Sequence, residues 1–206
     1  MKRIGIFGGS FNPIHLGHTA LAAYICEQGL VDEVWLMVSP QNPLKQDLTL
    51  LDENERLTMA QLAVTPYPML KACDFEFTLP RPSYTYHTLQ ALREAYPDHK
   101  FSLIIGEDNW LCFNRWFRGE DIARETPIIV YPREVENKEL HSPSASKHCS
   151  NIESRSSDFQ LSFLENPPLL PYSSTEVRQC IISGADTSHM LHPNVAQYIK
   201  EKHFYS

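Results

Sequence analysis

An α/β fold built on a parallel sheet is predicted by three observations. Short apolar strands alternate with helical segments along most of the 206 residues. The first apolar run, "RIGIF" (3–7), leads through glycines and a proline directly into a helix. With 42% hydrophobic residues the chain can bury a sizeable core, and its length suits one α/β domain spanning 1–206.

Each element follows from local pattern. Residues 3–7 read as a buried strand, and "LGHTALAAYICEQGL" (16–30) as a helix with Leu16, Ala20, Ala23 and Tyr24 on one stripe and Gly29 near its end. "DEVWLMVS" (32–39) is the second strand, followed by a polar, proline-bearing loop over 40–50. "LDENERLTMAQLAV" (51–64) is a helix. Asp52 is its expected N-cap, and Glu55, three residues on, would complete a capping box. Residues 69–77 give a third strand, "PSYTYHTLQALREAY" (82–96) a helix, 100–106 a fourth strand and 126–133 a fifth. The stretch 134–157, rich in Ser, Glu and Lys, reads as a long surface loop or insert. Structure resumes at "FQLSFLENPP". Two C-terminal helices close the chain: 173–184, with a Ser or Thr cap and Gly184 past its end, and 192–205, with His192 as N-cap and Pro193 at its first position.

Composition narrows the function classes. A net charge of −7 and the lack of a basic stripe disfavour nucleic acid as a partner, although a small basic pocket is compatible with them. No apolar run of membrane-spanning length occurs, so no membrane partner is expected. The short apolar start reads as a strand rather than a signal segment. Cys26, Cys73, Cys112, Cys149 and Cys180 are dispersed without a CxxC pair, which fits reduced thiols in a cytoplasmic protein and disfavours a structural zinc site. A homo-oligomer is compatible with the sequence, which carries no signature that decides it.

The segment "GGSFNPIHLGH" (8–18) carries the chemistry. In an open α/β sheet, ligands bind beyond the carboxyl ends of the strands, where this turn sits. Gly8 and Gly9 let the backbone approach a ligand, and the helix that follows presents unpaired N–H groups and a positive dipole end. His15 and His18 fall on one face of its first turn, which makes a phosphate-handling site. A metal pair is the alternative, but no third ligand is evident; a structural pair, one capping and one packed, is another. G-x-G-x-x-G is absent after the first strand, and no P-loop motif occurs.

This block resembles the GGxFDPxHxGH motif of the HxGH nucleotidyltransferases. "YSSTEVR" (172–178) resembles that group's second block, in the right order and more than 150 residues downstream. "NPLK" (42–45) with Arg56, "PSYTYHTL" (82–89), "IIGEDN" (104–109) and "RWF" (115–117) narrow the resemblance to bacterial nicotinate-nucleotide adenylyltransferases, over nearly the whole chain apart from 134–157. Asn12 stands where the family usually has Asp, and Tyr172 where Ile is common. Asn still accepts a hydrogen bond at a turn, so the first change is expected to be tolerated.

The resemblance implies a Rossmann-like, doubly wound parallel sheet with flanking helices and a small C-terminal helical part. It implies adenylyl transfer from ATP to nicotinate mononucleotide in NAD biosynthesis, with Mg²⁺ accompanying ATP and no protein metal site. The implied catalytic set is His15, His18, Lys45 and Arg178, with His18 at the α-phosphate. Gly8, Gly9, Ser10, Phe11, Gly106, Asp108, Arg133, Ser174 and Thr175 join His15, His18 and Arg178 around ATP. Ser10, Lys45, Thr85, Trp116 and Phe117 would hold nicotinate mononucleotide. Trp116 offers an indole face to the pyridine, and Thr85 heads a helix whose N–H groups suit its carboxylate. Another HxGH transferase with a different phosphate acceptor, or a nucleotide binder without catalysis, stands as the rival.

Overall fold

The computed structural model describes residues 1–40, 50–132, 159–168 and 170–206. Lys45, Arg133, Cys149 and nearly all of the expected 40–50 and 134–157 loops lie outside them.

Six strands, β1 (Lys2–Gly9), β2 (Glu33–Val38), β3 (Leu70–Cys73), β4 (His99–Gly106), β5 (Ile128–Tyr131) and β6 (Leu161–Phe163), form one sheet in the order β3-β2-β1-β4-β5-β6. Every pairing is parallel. The central strands are buried on both faces, as crossover helices require. Alternate residues serve opposite layers. Phe7, Val34, Leu36, Ile104 and Ile129 join one core with α1 (Leu16–Glu27), α2 (Glu53–Val64), α6 (Ser174–Ser183) and α7 (Pro193–Lys202). Ile4, Ile6, Trp35, Leu103, Ile105 and Val130 join the other, with α3 (Thr85–Ala95), α4 (Glu107–Leu111) and α5 (Gly119–Glu125). The chain reverses direction across the sheet between β1 and β4, and this switch point opens a crevice at their carboxyl ends.

Several expectations need correction. The buried positions of α1 are Thr19, Leu21, Ala22, Ala23 and Ile25, rather than a stripe through Leu16, Ala20 and Tyr24. That helix packs against β2, β3 and α2, so more than one face is covered. The third strand stops at Cys73, and Phe75–Thr78 turns into a 3-10 helix. Asp52 caps α2 through the Asn54 N–H, but Glu55 does not complete a capping box. It accepts instead from the Tyr198 hydroxyl and Lys202 of α7. Helix α3 begins at Thr85, the residue expected to head it. Four elements were missed: β6, which adds an edge strand, the short helices α4 and α5, and the 3-10 turn Phe113–Arg115 that carries Trp116 at its end. His192 and Gly184 cap their helices as expected, Gly184 in the left-handed region at φ 72°.

Candidate active site

The turn after β1 shapes the site. Phe11 adopts φ 45°, and its ring packs edge-on against Phe7 (6.0 Å) and His18 (5.0 Å). The two glycines act differently. A Cβ on Gly9 would come within 3.0 Å of the Phe11 ring, so Gly9 makes room for Phe11 rather than for a ligand. A Cβ on Gly8 would project into empty space, so that backbone is the one a ligand can approach.

His15 is the N-cap of α1 and His18 its third residue, and they interact reciprocally. The His15 N–H donates to His18 Nδ1 (3.2 Å). An accepting Nδ1 carries no hydrogen, which places the ring hydrogen on Nε2. The two rings stack at 3.7 Å and 28°. Tyr172 meets the His15 ring edge-on at 5.5 Å and donates its hydroxyl to the His189 carbonyl (3.1 Å). Gly17 completes the pair. A Cβ there would lie 3.0 Å from His15 Nδ1, so only glycine leaves the stacked rings their space. The expectation of unpaired N–H groups at this helix start is only partly met. The Leu16 N–H is taken by the Met190 carbonyl (2.8 Å) and that of His18 by the His15 carbonyl (3.0 Å). Those two N–H groups are therefore not open to a ligand at this helix start.

Helix α6 docks on the same turn. Ser173 is its N-cap, in a capping box with Glu176. Ser174 Oγ donates to the Pro13 carbonyl (2.8 Å), and Arg178 Nη1 to the Asn12 carbonyl (2.7 Å). Arg178 Nη2 reaches Thr175 Oγ1 at 3.2 Å. Below the turn lies Arg56, only 1% exposed. Its guanidinium donates to the carbonyls of Ser10, Ser39, Pro40 and Leu51, tying the loops after β1 and β2 to the start of α2.

All predicted site residues among the described ones line one cavity of about 480 Å³, a size ordinary for small-molecule sites. His15, His18, Ser174, Thr175, Arg178 and Gly8 are among its lining residues. Gly106, at the end of β4, leaves room for Asp108 Oδ1 and for Tyr131, both of which a Cβ would crowd. Asp108 itself lies in the first turn of α4 rather than in the strand.

The cytidylyltransferase-like family matches residues 6–180. A protein of Bacteroides thetaiotaomicron described as probable nicotinate-nucleotide adenylyltransferase is 44% identical over 199 residues, 97% of this chain and 91% of its own. A Flavobacterium johnsoniae protein of the same description is 40% identical, covering 98% of each chain. This chain belongs to the nicotinate-nucleotide adenylyltransferase family. The fold is shared with the Plasmodium falciparum nicotinic acid mononucleotide adenylyltransferase complexed with NaAD, at TM-score 0.76 and 22% identity over 100% of this chain and 98% of that one.

For a member of this family, the second arm of the cavity is the informative one. Thr85 is the first residue of α3, and Trp116 and Phe117 line the cavity with it. Trp116 packs on Phe113 (5.0 Å). Phe117 is 46% exposed and stacks on His87 (5.3 Å, 16°) and against Tyr84 (5.0 Å), two residues with no role assignable from sequence. Glu76 was missed. It is 7% exposed, lines the cavity, and accepts from Thr88 Oγ1 (2.9 Å) and Ser83 Oγ (3.3 Å) on either side of the α3 start. Burial pushes its carboxyl above the usual range, against the opposing pull of the Thr88, Ser39 and Ser83 hydroxyls. No sequence motif marked Glu76, because only the 3-10 turn after β3 brings it under α3. Among the described residues no group of three or more His, Cys, Asp or Glu side chains is gathered to hold a metal, and no helix is long and apolar enough to cross a membrane.

Proposed function

We propose that this chain transfers the adenylyl group of ATP to nicotinate mononucleotide, giving nicotinate adenine dinucleotide and pyrophosphate. One observation carries the assignment: the stacked His15–His18 pair and Arg178 border the same cavity as Thr85 and Trp116, so a phosphate chain and a pyridine ring fit in one crevice. A phosphate oxygen of the mononucleotide attacks the α-phosphorus of ATP, and the bond between that phosphorus and the α–β bridging oxygen breaks. Pyrophosphate leaves with the bridging oxygen. The nucleophile is already ionised, so no general base is needed and catalysis is positioning plus charge stabilisation.

His18, with its ring hydrogen on Nε2, donates to the α-phosphate, and His15 supports it from the stacked ring. Arg178 offsets phosphate charge from the α6 side, where the N-terminal N–H groups face the β- and γ-phosphates. The Ser174 hydroxyl is engaged with Pro13, so that residue serves through its backbone and its hold on the turn. Lys45 and Arg133 are assigned by resemblance to the phosphates and the adenine side. Mg²⁺ enters with ATP, held by phosphate oxygens and water. The Trp116 indole stacks on the pyridine, and the α3 N–H groups with the Phe117 N–H take the ring carboxylate. Reduced thiols fit a cytoplasmic enzyme.

Pyrophosphate release with Mg·ATP tests the assignment, with nicotinate and nicotinamide mononucleotides offered in parallel. Turnover of the nicotinate form alone is expected. Equal turnover of both would remove the carboxylate pocket, and turnover of neither would remove the assigned acceptor.

A further inference from the structure

The segment after α7 reaches the catalytic turn from behind. Helix α7 ends with His203 at φ 55°, and the Phe204 N–H returns to the Ile199 carbonyl (3.1 Å). Phe204 packs between Tyr198 (6.0 Å) and Tyr205 (6.3 Å). Tyr205 is then directed to Asn12, and its hydroxyl donates to Asn12 Oδ1 at 2.8 Å. Asn12 is 3% exposed, and the same oxygen also accepts the Leu51 N–H at 3.4 Å. Its backbone carbonyl is the one that holds Arg178. One residue therefore receives the tail and α2 on its side chain and the catalytic arginine on its main chain.

The backbone on both sides of this bond needs holding. Phe11 lies at φ 45° and Tyr205 at φ 63°, a region that non-glycine residues occupy only where their surroundings fix them. Phe11 is also the residue whose ring meets His18 edge-on. A shift of the turn would thus move both the Arg178 anchor and the wall behind His18. A tyrosine hydroxyl is a protonated donor at neutral pH, and burial pushes that of Tyr205 further above its ordinary range.

We propose that Tyr205 is a positioning residue for the ATP end of the site, acting through Asn12 on Arg178 and the Phe11 turn. The inference rests on the assignment of ATP phosphates to that end. It separates Tyr205 from the pyridine arm, since Thr85 and Trp116 sit on elements of the opposite layer.

The test uses the full chain as wild type, Tyr205→Phe, Asn12→Ala and the double variant. Kinetic constants for both substrates, calorimetric ATP affinity and Tm are measured for each. Tyr205→Phe is expected to weaken ATP affinity and raise its KM about fivefold, the worth of one hydrogen bond. The KM for nicotinate mononucleotide should stay near wild type, and the Tm should fall by no more than the loss of one buried hydrogen bond accounts for. The double variant should bind ATP no worse than Asn12→Ala alone, since both changes remove the same link. Unchanged ATP affinity in Tyr205→Phe, additive effects in the double variant, or a parallel loss for both substrates would each overturn the proposal. A wild type that binds ATP but leaves nicotinate mononucleotide unreacted would instead overturn the assigned acceptor, and ATP affinity would still decide the role of Tyr205.

Discussion

Replacing Gly17 with Ala separates stability from activity at the histidine pair. A Cβ at this position would stand 3.0 Å from His15 Nδ1, 3.1 Å from its Cε1 and 3.7 Å from Leu170 Cβ. Ordinary contact begins a few tenths of an ångström farther out, so the His15 ring must yield by that amount. It is stacked on His18 at 3.7 Å, so the movement is passed to the ring assigned to the α-phosphate. A misplacement of about 1 Å can cost about 10²-fold in rate, so a few tenths should cost roughly three- to tenfold in kcat. The helix itself gains from the change, because Ala is favoured over Gly there by up to about 1 kcal/mol. Gly17→Ala should therefore keep or raise the Tm while lowering kcat. Thermal unfolding beside steady-state pyrophosphate release measures both. A variant with wild-type kcat would refute the claim that Gly17 is there to seat the imidazole. A large fall in Tm would refute the claim that the ring can yield.

Two further outcomes follow from buried charge. Arg56→Ala would leave the carbonyls of Ser10, Ser39, Pro40 and Leu51 without their donor, and should destabilise the chain by about 3 kcal/mol or more in urea unfolding; a change below about 1 kcal/mol would mean those carbonyls find water at no cost. Glu76 has its carboxyl pKa raised by burial, so the folded state holds the proton more tightly than the unfolded chain. Its contribution to stability is then fully present below the ordinary Glu range and is lost as pH rises through the folded value. Glu76→Gln should gain stability relative to wild type between pH 4 and pH 8, and a constant difference in Tm across that range would contradict the sign.

Much of the fold was legible because the chain repeats one physical pattern. Strands buried on both faces read as apolar runs, and the Asp52, His192 and Gly184 caps read correctly since capping is a local matter. Glu55 read wrongly for the opposite reason: its partner, Tyr198, lies 143 residues away and outcompetes the local cap. Strand β6 has three residues and only one side to pair, too short to show a period. At the site, the histidines and the second block were visible as motifs, whereas Arg56 appeared only as a residue following "NPLK". Its role depends on four carbonyls brought together from three separate segments. Asn12 was expected to accept a hydrogen bond and does so, but its donor, Tyr205, is 193 residues distant and carried no signal.

His18→Ala tests the proposed chemistry most directly, with pyrophosphate release measured at saturating Mg·ATP and nicotinate mononucleotide and ATP affinity measured alongside. Loss of one donor to the developing charge should lower kcat about 10²- to 10³-fold while ATP affinity changes only a few-fold. A variant that retains wild-type kcat would contradict the assignment of His18 to the α-phosphate and, with it, the use of the paired histidines in adenylyl transfer.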